Sequence, residues 1–233
     1  MPKTASMDLL IQNPPTPAQL ILLLHGEGGK PQDMAPLGRA LSAAFPQALV
    51  VAMQAPLARS DPHTGHTWFH SKVELGRSNP ADLQPALNQL AQRIHAHQAN
   101  SGVSTQATAL IGFGQGATLA LHSTLLNAPW ADRVVALAGA FAQRPEAVRY
   151  LGSIHFLHGK EDAITHWKTV MQDAYCLRDH GVDMTAEIVP LVGHELHTRF
   201  IDKTLERLST HVSKHLFEAA VASAPGAENT HIQ

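Results

Sequence analysis

Short runs of consecutive apolar residues alternate along this chain with longer segments of helical period. MDLLIQ (7–12), QLILLLH (19–25), ALVVAMQ (48–54), ATALIGF (107–113), RVVALAG (133–139), SIHFLHG (153–159) and TAEIVPL (185–191) read as strands. Several are apolar at successive positions, as strands buried on both faces should be. Helices are expected between them at 32–45, 82–100, 115–127, 163–180 and 197–218. In the second, Leu83, Leu87, Leu90 and Ile94 follow at steps of four, three and four, which sets them on one face. Asp82 is its expected N-cap, with Pro85 in the first turn, where a missing N–H costs little. The alternation implies βαβ units around a mostly parallel central sheet with helices on both faces.

Two stretches leave this rhythm. Residues 55–80, with Pro56, Pro62, Gly65, Gly76 and Pro80, read as a long surface connection able to carry function. The tail from about 219 to 233 lacks an apolar stripe and is expected to fray, leaving an ordered part of about 7–218. No internal repeat, linker or long lid insertion divides the 233 residues, so a single domain is expected.

Composition narrows the function classes. A formal net charge of −2 gives no electrostatic case for nucleic acid or an anionic membrane surface. The single Cys176 excludes an internal disulfide framework. The first residues lack the charged start, apolar stretch and cleavage site of a secretory signal, and no apolar run reaches membrane-spanning length. A cytoplasmic protein without a membrane span is therefore the expectation.

Four loops that follow strands carry candidate chemistry. His25-Gly26-Glu27-Gly28-Gly29 is a glycine-rich turn whose bare N–H groups suit an oxyanion; by itself it could equally be a plain tight turn. Gly112-Phe113-Gly114-Gln115-Gly116 sits between a strand and a helix, the setting of the G-x-S-x-G nucleophile elbow, with Gly114 where the elbow carries serine. Half a dinucleotide fingerprint is the competing interpretation, but Asp132 precedes a strand instead of ending one. In His158-Gly159-Lys160-Glu161-Asp162, Asp162 is a candidate orienter of an imidazole and Glu161 its competitor. In Val192-Gly193-His194-Glu195, His194 is a candidate general base.

Elbow, Asp, His is the chain order of α/β-hydrolases. With HGEGG, GFGQGA, HGKED and GHE in this order, the chain resembles the phospholipase/carboxylesterase family of small bacterial α/β-hydrolases, related to acyl-protein thioesterases, over roughly residues 8–218. The resemblance implies an α/β-hydrolase fold, a small-molecule or lipid-like ester substrate, no cofactor, and a monomer or homodimer. It places Gly114 at the nucleophile position, Asp162 as the acid and His194 as the base. Glu27 and Gln115 would supply oxyanion N–H groups through their backbones. Trp68 and Phe69 occupy the place of an acyl-pocket wall, or alternatively form a satellite core cluster. Since glycine has no atom to attack with, two function classes follow. One is a serine carboxylesterase, Ser-His-Asp by family, made inactive or very slow by an engineered or inherited loss. The other is a natural non-catalytic relative that binds acyl esters or acts as an interaction module. The retained Asp162 and His194 favour the first.

The sixteen histidines raise a metal alternative. His63, His66 and His70 have only Asp61 as a nearby acidic companion, and His194-Glu195-Leu196-His197 is one residue short of H-E-x-x-H. Surface imidazoles are the expected explanation for most of the excess.

Overall fold

The computed structural model describes residues 8–59, 65–70 and 79–212. Seven strands form one sheet: β1 (Leu9–Gln12), β2 (Gln19–Leu24), β3 (Ala48–Met53), β6 (Thr108–Phe113), β7 (Arg133–Leu137), β8 (Ser153–Gly159) and β9 (Asp183–Val189). Their order is β1-β3-β2-β6-β7-β8-β9, parallel throughout except for the antiparallel edge pair β1–β3. β4 (Leu57–Ala58) and β5 (His66–Thr67) make a small separate hairpin. The helices are α1 (Ala35–Ala44), α2 (Pro80–Ser101), α3 (Gln115–Ser123), α4 (Trp167–Asp179) and α5 (Thr198–Thr210). This is the α/β-hydrolase architecture.

The consecutive apolar runs are explained by the two faces they supply. Leu20, Leu22 and Leu24 of β2 pack with Leu83, Leu90, Leu119 and Val170 from α2, α3 and α4. Ile21 and Leu23 face the other way, against Leu37 and Leu41 of α1 and Phe200 and Leu208 of α5. A strand with a period of two and helices on both sides reads as a near-continuous apolar run.

Two expectations are corrected. The N-cap of α2 is Asn79, not Asp82: its side chain accepts the Ala81 N–H at 3.0 Å, and Pro80 takes the first helical position. Pro85 consequently lies inside the helix, beyond the first turn. Residues 60–64 and 71–78 of the 55–80 stretch lie outside the described residues, and the part at 65–70 is no simple surface connection, because Trp68 and Phe69 are only 2% and 3% exposed. Its hairpin is tied to the HGEGG turn by Gly65 N–H to Gly28 O at 2.9 Å and His66 N–H to Gly29 O at 2.8 Å. Most of the described imidazoles are exposed or partly exposed, but His25, His155 and His158 are fully buried. His166 and His197 cap α4 and α5, each accepting a backbone N–H two residues on. The expected tail at 219–233 lies outside the described residues, among which no helix is long and apolar enough to cross a membrane.

Candidate active site

Register brings the functional loops together. Leu24 pairs with Gly112, Phe113 with Leu137, Leu137 with Leu157 and Gly159 with Val189, so the carboxyl ends of the parallel strands share one edge. In open α/β sheets that edge is where ligands bind.

Between β6 and α3 the chain reverses at Gly114, with φ 54° and ψ −117°. These are the angles of the first central residue of a type II′ turn, where side chains are disfavoured. Gly114 N–H donates to Leu137 O at 3.0 Å, and Gly114 O accepts from Thr118 N–H at 3.1 Å, so sheet and helix both hold the turn. The flanking glycines serve close packing: a Cβ on Gly112 would meet the Gly116 carbonyl carbon at 2.2 Å, and one on Gly116 would meet Leu24 O at 2.4 Å. A Cβ on Gly114 would lie 3.3 Å from His194 Nε2 and 3.6 Å from Gly26 Cα. Position 114 thus faces the loops after β9 and β2.

His194 Nδ1 lies 2.8 Å from Asp162 Oδ2, and its ring centroid lies 4.9 Å from that of Phe113. The Asp162 Oδ1 atom accepts the Ile164 and Thr165 N–H groups at 2.8 and 2.9 Å. Burial pushes this carboxyl up, but hydrogen bonds from His194 and Thr165 and the nearby imidazoles outweigh it, leaving the group below the usual carboxylate range. An ionised Asp162 keeps the proton of His194 on Nδ1 and leaves a lone pair on Nε2, facing position 114. Glu161 is exposed and does not take this place; its N–H donates to Val192 O at 2.9 Å, joining the Asp162 loop to the His194 loop.

Sequence reasoning missed His158 as a support. Its Nε2–H donates to Thr165 O at 2.7 Å and stands 3.5 Å from Asp162 Oδ2. Burial lowers its pKa, so a neutral ring braces the Asp162 loop from inside.

The HGEGG turn is braced in a similar way. Buried His25 donates through Nδ1 to Gly26 O at 2.8 Å and accepts the Ala55 N–H at Nε2, 3.1 Å away. Burial lowers its pKa, consistent with that neutral tautomer. Trp68 Nε1–H donates to His25 O at 2.7 Å. The backbone N–H groups of Glu27 and Gln115 bond to no carbonyl among the described residues.

The Gln115 side chain makes a network that no local sequence signal announces. Its Oε1 accepts from Thr67 Oγ1 at 2.7 Å and Trp68 N–H at 3.1 Å. Its Nε2 donates to Phe69 O at 3.2 Å and Glu27 Oε2 at 3.3 Å. Glu27 also receives Arg59 Nη1 at 2.8 Å. Trp68 and Phe69 belong to the main core with Leu83 and Leu87. They also line a cleft of about 300 Å³ with Pro56, Leu57 and Pro85.

His63 lies outside the described residues, as does Asp61. Among the described residues, no three His, Cys, Asp or Glu side chains are grouped to hold a metal ion.

Comparison with known proteins identifies the family and the fold. The family model described as Phospholipase/Carboxylesterase matches residues 8–216. Esterase YpfH of Escherichia coli (strain K12) is 33% identical over 219 residues, covering 93% of this chain and 94% of that protein. The structure of esterase PE8 superimposes with a TM-score of 0.79 at 24% identity, covering 89% of this chain and 98% of its own. The Bacillus cereus carboxylesterase gives 0.74 at 18% identity, covering 89% and 95%. At these identities the two structures speak to the fold alone.

Proposed function

Because the chain belongs to the phospholipase/carboxylesterase family, whose relatives are esterases, we propose that it is a carboxylic-ester hydrolase scaffold whose nucleophile position is occupied by Gly114. The supporting observation is that a Cβ at 114 would lie 3.3 Å from His194 Nε2, while His194 is itself held by Asp162. A serine hydroxyl, one bond beyond that Cβ, is within reach of the imidazole.

With serine present, the route is acyl transfer. The hydroxyl attacks the ester carbonyl as His194 takes its proton, the Glu27 and Gln115 N–H groups stabilise the oxyanion, and His194 returns the proton to the leaving alcohol. The chain as it stands lacks the attacking oxygen. What remains of such a site still accelerates reactions about 10³–10⁴-fold over water, so slow turnover is expected. Trp68 and Phe69 are assigned to the acyl side of the substrate because they border an open cleft and connect to the elbow through Gln115. The substrate class is a small or lipid-like ester.

The experiment is hydrolysis of short-chain p-nitrophenyl esters by this chain and by its Gly114→Ser variant. The variant is expected to gain at least about 100-fold in kcat/KM, given the weight of the nucleophile in such triads. A folded variant with unchanged activity would refute the hydrolase assignment.

A further inference from the structure

The atom best placed to react at this site is the imidazole nitrogen itself. His194 Nε2 borders the volume of the absent side chain, which is otherwise bounded most closely by Gly26 Cα. Its ring partner on the other side is Asp162, bonded through Nδ1, and Nε2 forms no hydrogen bond among the described residues. A neutral imidazole with its Nδ1–H held this way presents a nucleophilic lone pair at Nε2, and histidine is an established covalent nucleophile. An acyl carbonyl that cannot meet a serine oxygen has room to advance toward that lone pair, over Gly114.

Resting on the ester-hydrolase reading above, we infer that this chain uses His194 Nε2 as a covalent nucleophile toward activated acyl donors, meaning aryl esters and thioesters, and not toward alkyl esters. Nε2 forms a bond to the acyl carbon, and the carbonyl π electrons move to the oxygen. The oxyanion collapses, the bond to the leaving group breaks, and a phenolate or thiolate departs with that electron pair. The product is an Nε2-acyl imidazolium whose Nδ1–H remains bonded to the Asp162 carboxylate. Water then adds to the acyl carbon and loses a proton to solvent, the carbon–nitrogen bond breaks, and the lone pair returns to Nε2. The sum is hydrolysis of one acyl donor by one water, with no oxidant or cofactor.

The restriction to activated donors follows from partitioning. The tetrahedral adduct expels its better leaving group, and a neutral imidazole leaves far more readily than an alkoxide. Only leaving groups about as acidic as a thiol, with pKa ~8.5, or more acidic, compete with it. A serine ester intermediate carries no such penalty, so position 114 decides the substrate class as well as the rate.

The test uses p-nitrophenyl N,N-dimethylcarbamate, because a carbamoyl-imidazole hydrolyses slowly enough to isolate. Full-length protein is treated with this reagent, p-nitrophenolate release is followed, and the adduct is located by peptide mass mapping. The expected result is about one equivalent of release per chain, with the carbamoyl group on His194. His194→Gln should abolish that adduct. Asp162→Asn should lower labelling of His194 by roughly tenfold or more, the weight of a mispositioned imidazole, while leaving exposed His95 unchanged. In Gly114→Ser the adduct should move to position 114, and alkyl ester hydrolysis should appear. Release without any adduct at His194, or labelling there no faster than at His95, would overturn the inference. If Gly114→Ser is carbamoylated at 114 while the parent is not labelled at His194, the histidine nucleophile fails and the hydrolase scaffold stands. If neither protein is labelled and neither hydrolyses esters, both readings fail.

Discussion

Position 114 sets two demands against each other. At φ 54° and ψ −117°, any L side chain is strained, typically by about 1–3 kcal/mol, and its Cβ would press on His194 Nε2 at 3.3 Å. Glycine relieves both. Gly114→Ser is therefore expected to lower Tm by several degrees, at about 2–4 °C per kcal/mol for a domain of this size, even as it raises ester turnover. Thermal unfolding of the two proteins side by side checks this, and an unchanged or higher Tm contradicts it. Asp162 makes a second single-residue test. Asp162→Asn keeps an oxygen for the Ile164 and Thr165 N–H groups but turns an amide N–H₂ toward His194 Nδ1. The imidazole must then carry its proton on Nε2, the wrong tautomer for a base or a nucleophile. In the Gly114→Ser background, kcat is expected to fall by about 10³–10⁴, with little change in KM. An equal loss in both parameters would point to a collapsed site.

Between elements, the coupling that matters joins the start of α3 to the hairpin segment at 65–70. Gln115 makes it, accepting from Thr67 and Trp68 and donating to Phe69 and Glu27. Truncating Gln115 to Ala leaves the partly buried Trp68 N–H without its partner, a loss of about 1–3 kcal/mol. The expected outcome is a Tm lower by several degrees, with faster amide hydrogen exchange concentrated at residues 65–70 and α4 unaffected. Exchange that rises evenly over the whole chain would show instead that Gln115 acts on global stability. This network marks where sequence reading stopped. GFGQG was legible as a strand–turn–helix because its glycines and apolar neighbours are local signals. Gln115's partners arrive through the packing of a distant hairpin, and β4 and β5 are too short to produce a periodic pattern. Asn79 was passed over for a similar reason: the stripe Leu83, Leu87, Leu90, Ile94 identifies the helix face but not where the first turn begins.

Across the molecule, the doubly buried sheet was legible because helices on both faces force β2 and β3 to be apolar at nearly every position. The histidines inside it were not, since a buried imidazole has the same letter as an exposed one. His25, His155 and His158 are all shifted down, chiefly by burial. For His155 the pKa is lowered to about 3, chiefly by burial, with His211, Arg207 and Arg133 lowering it further and Asp183 opposing. The unfolded chain takes up these protons near pH 6.5, whereas the folded chain does not. Stability from these groups is therefore complete above that pH and falls as pH drops below it, by up to about 1.4 kcal/mol per unit for each histidine. Asp162 is also shifted down, and its contribution is complete above the ordinary carboxylate range and lost as pH falls through and below it. The exposed His180, raised by hydrogen bonds to the Cys176 and Glu146 carbonyls, runs opposite to the buried three. The net expectation is a steep loss of urea-unfolding stability between pH 7 and pH 5, above the range where carboxylates titrate. His155 pairs with Thr185 across β8–β9, Nδ1 to Oγ1 at 2.9 Å, and its Nε2 has no partner among the described residues. Replacing the pair together, His155→Leu with Thr185→Val, removes both polar groups and one of the three suppressed protons. The double variant should match the parent near pH 7.5 and exceed it at pH 5, with a shallower dependence between. A parent whose stability is flat over this range, or a double variant with the parent's slope, would show that His155 does not carry the acid sensitivity assigned to it.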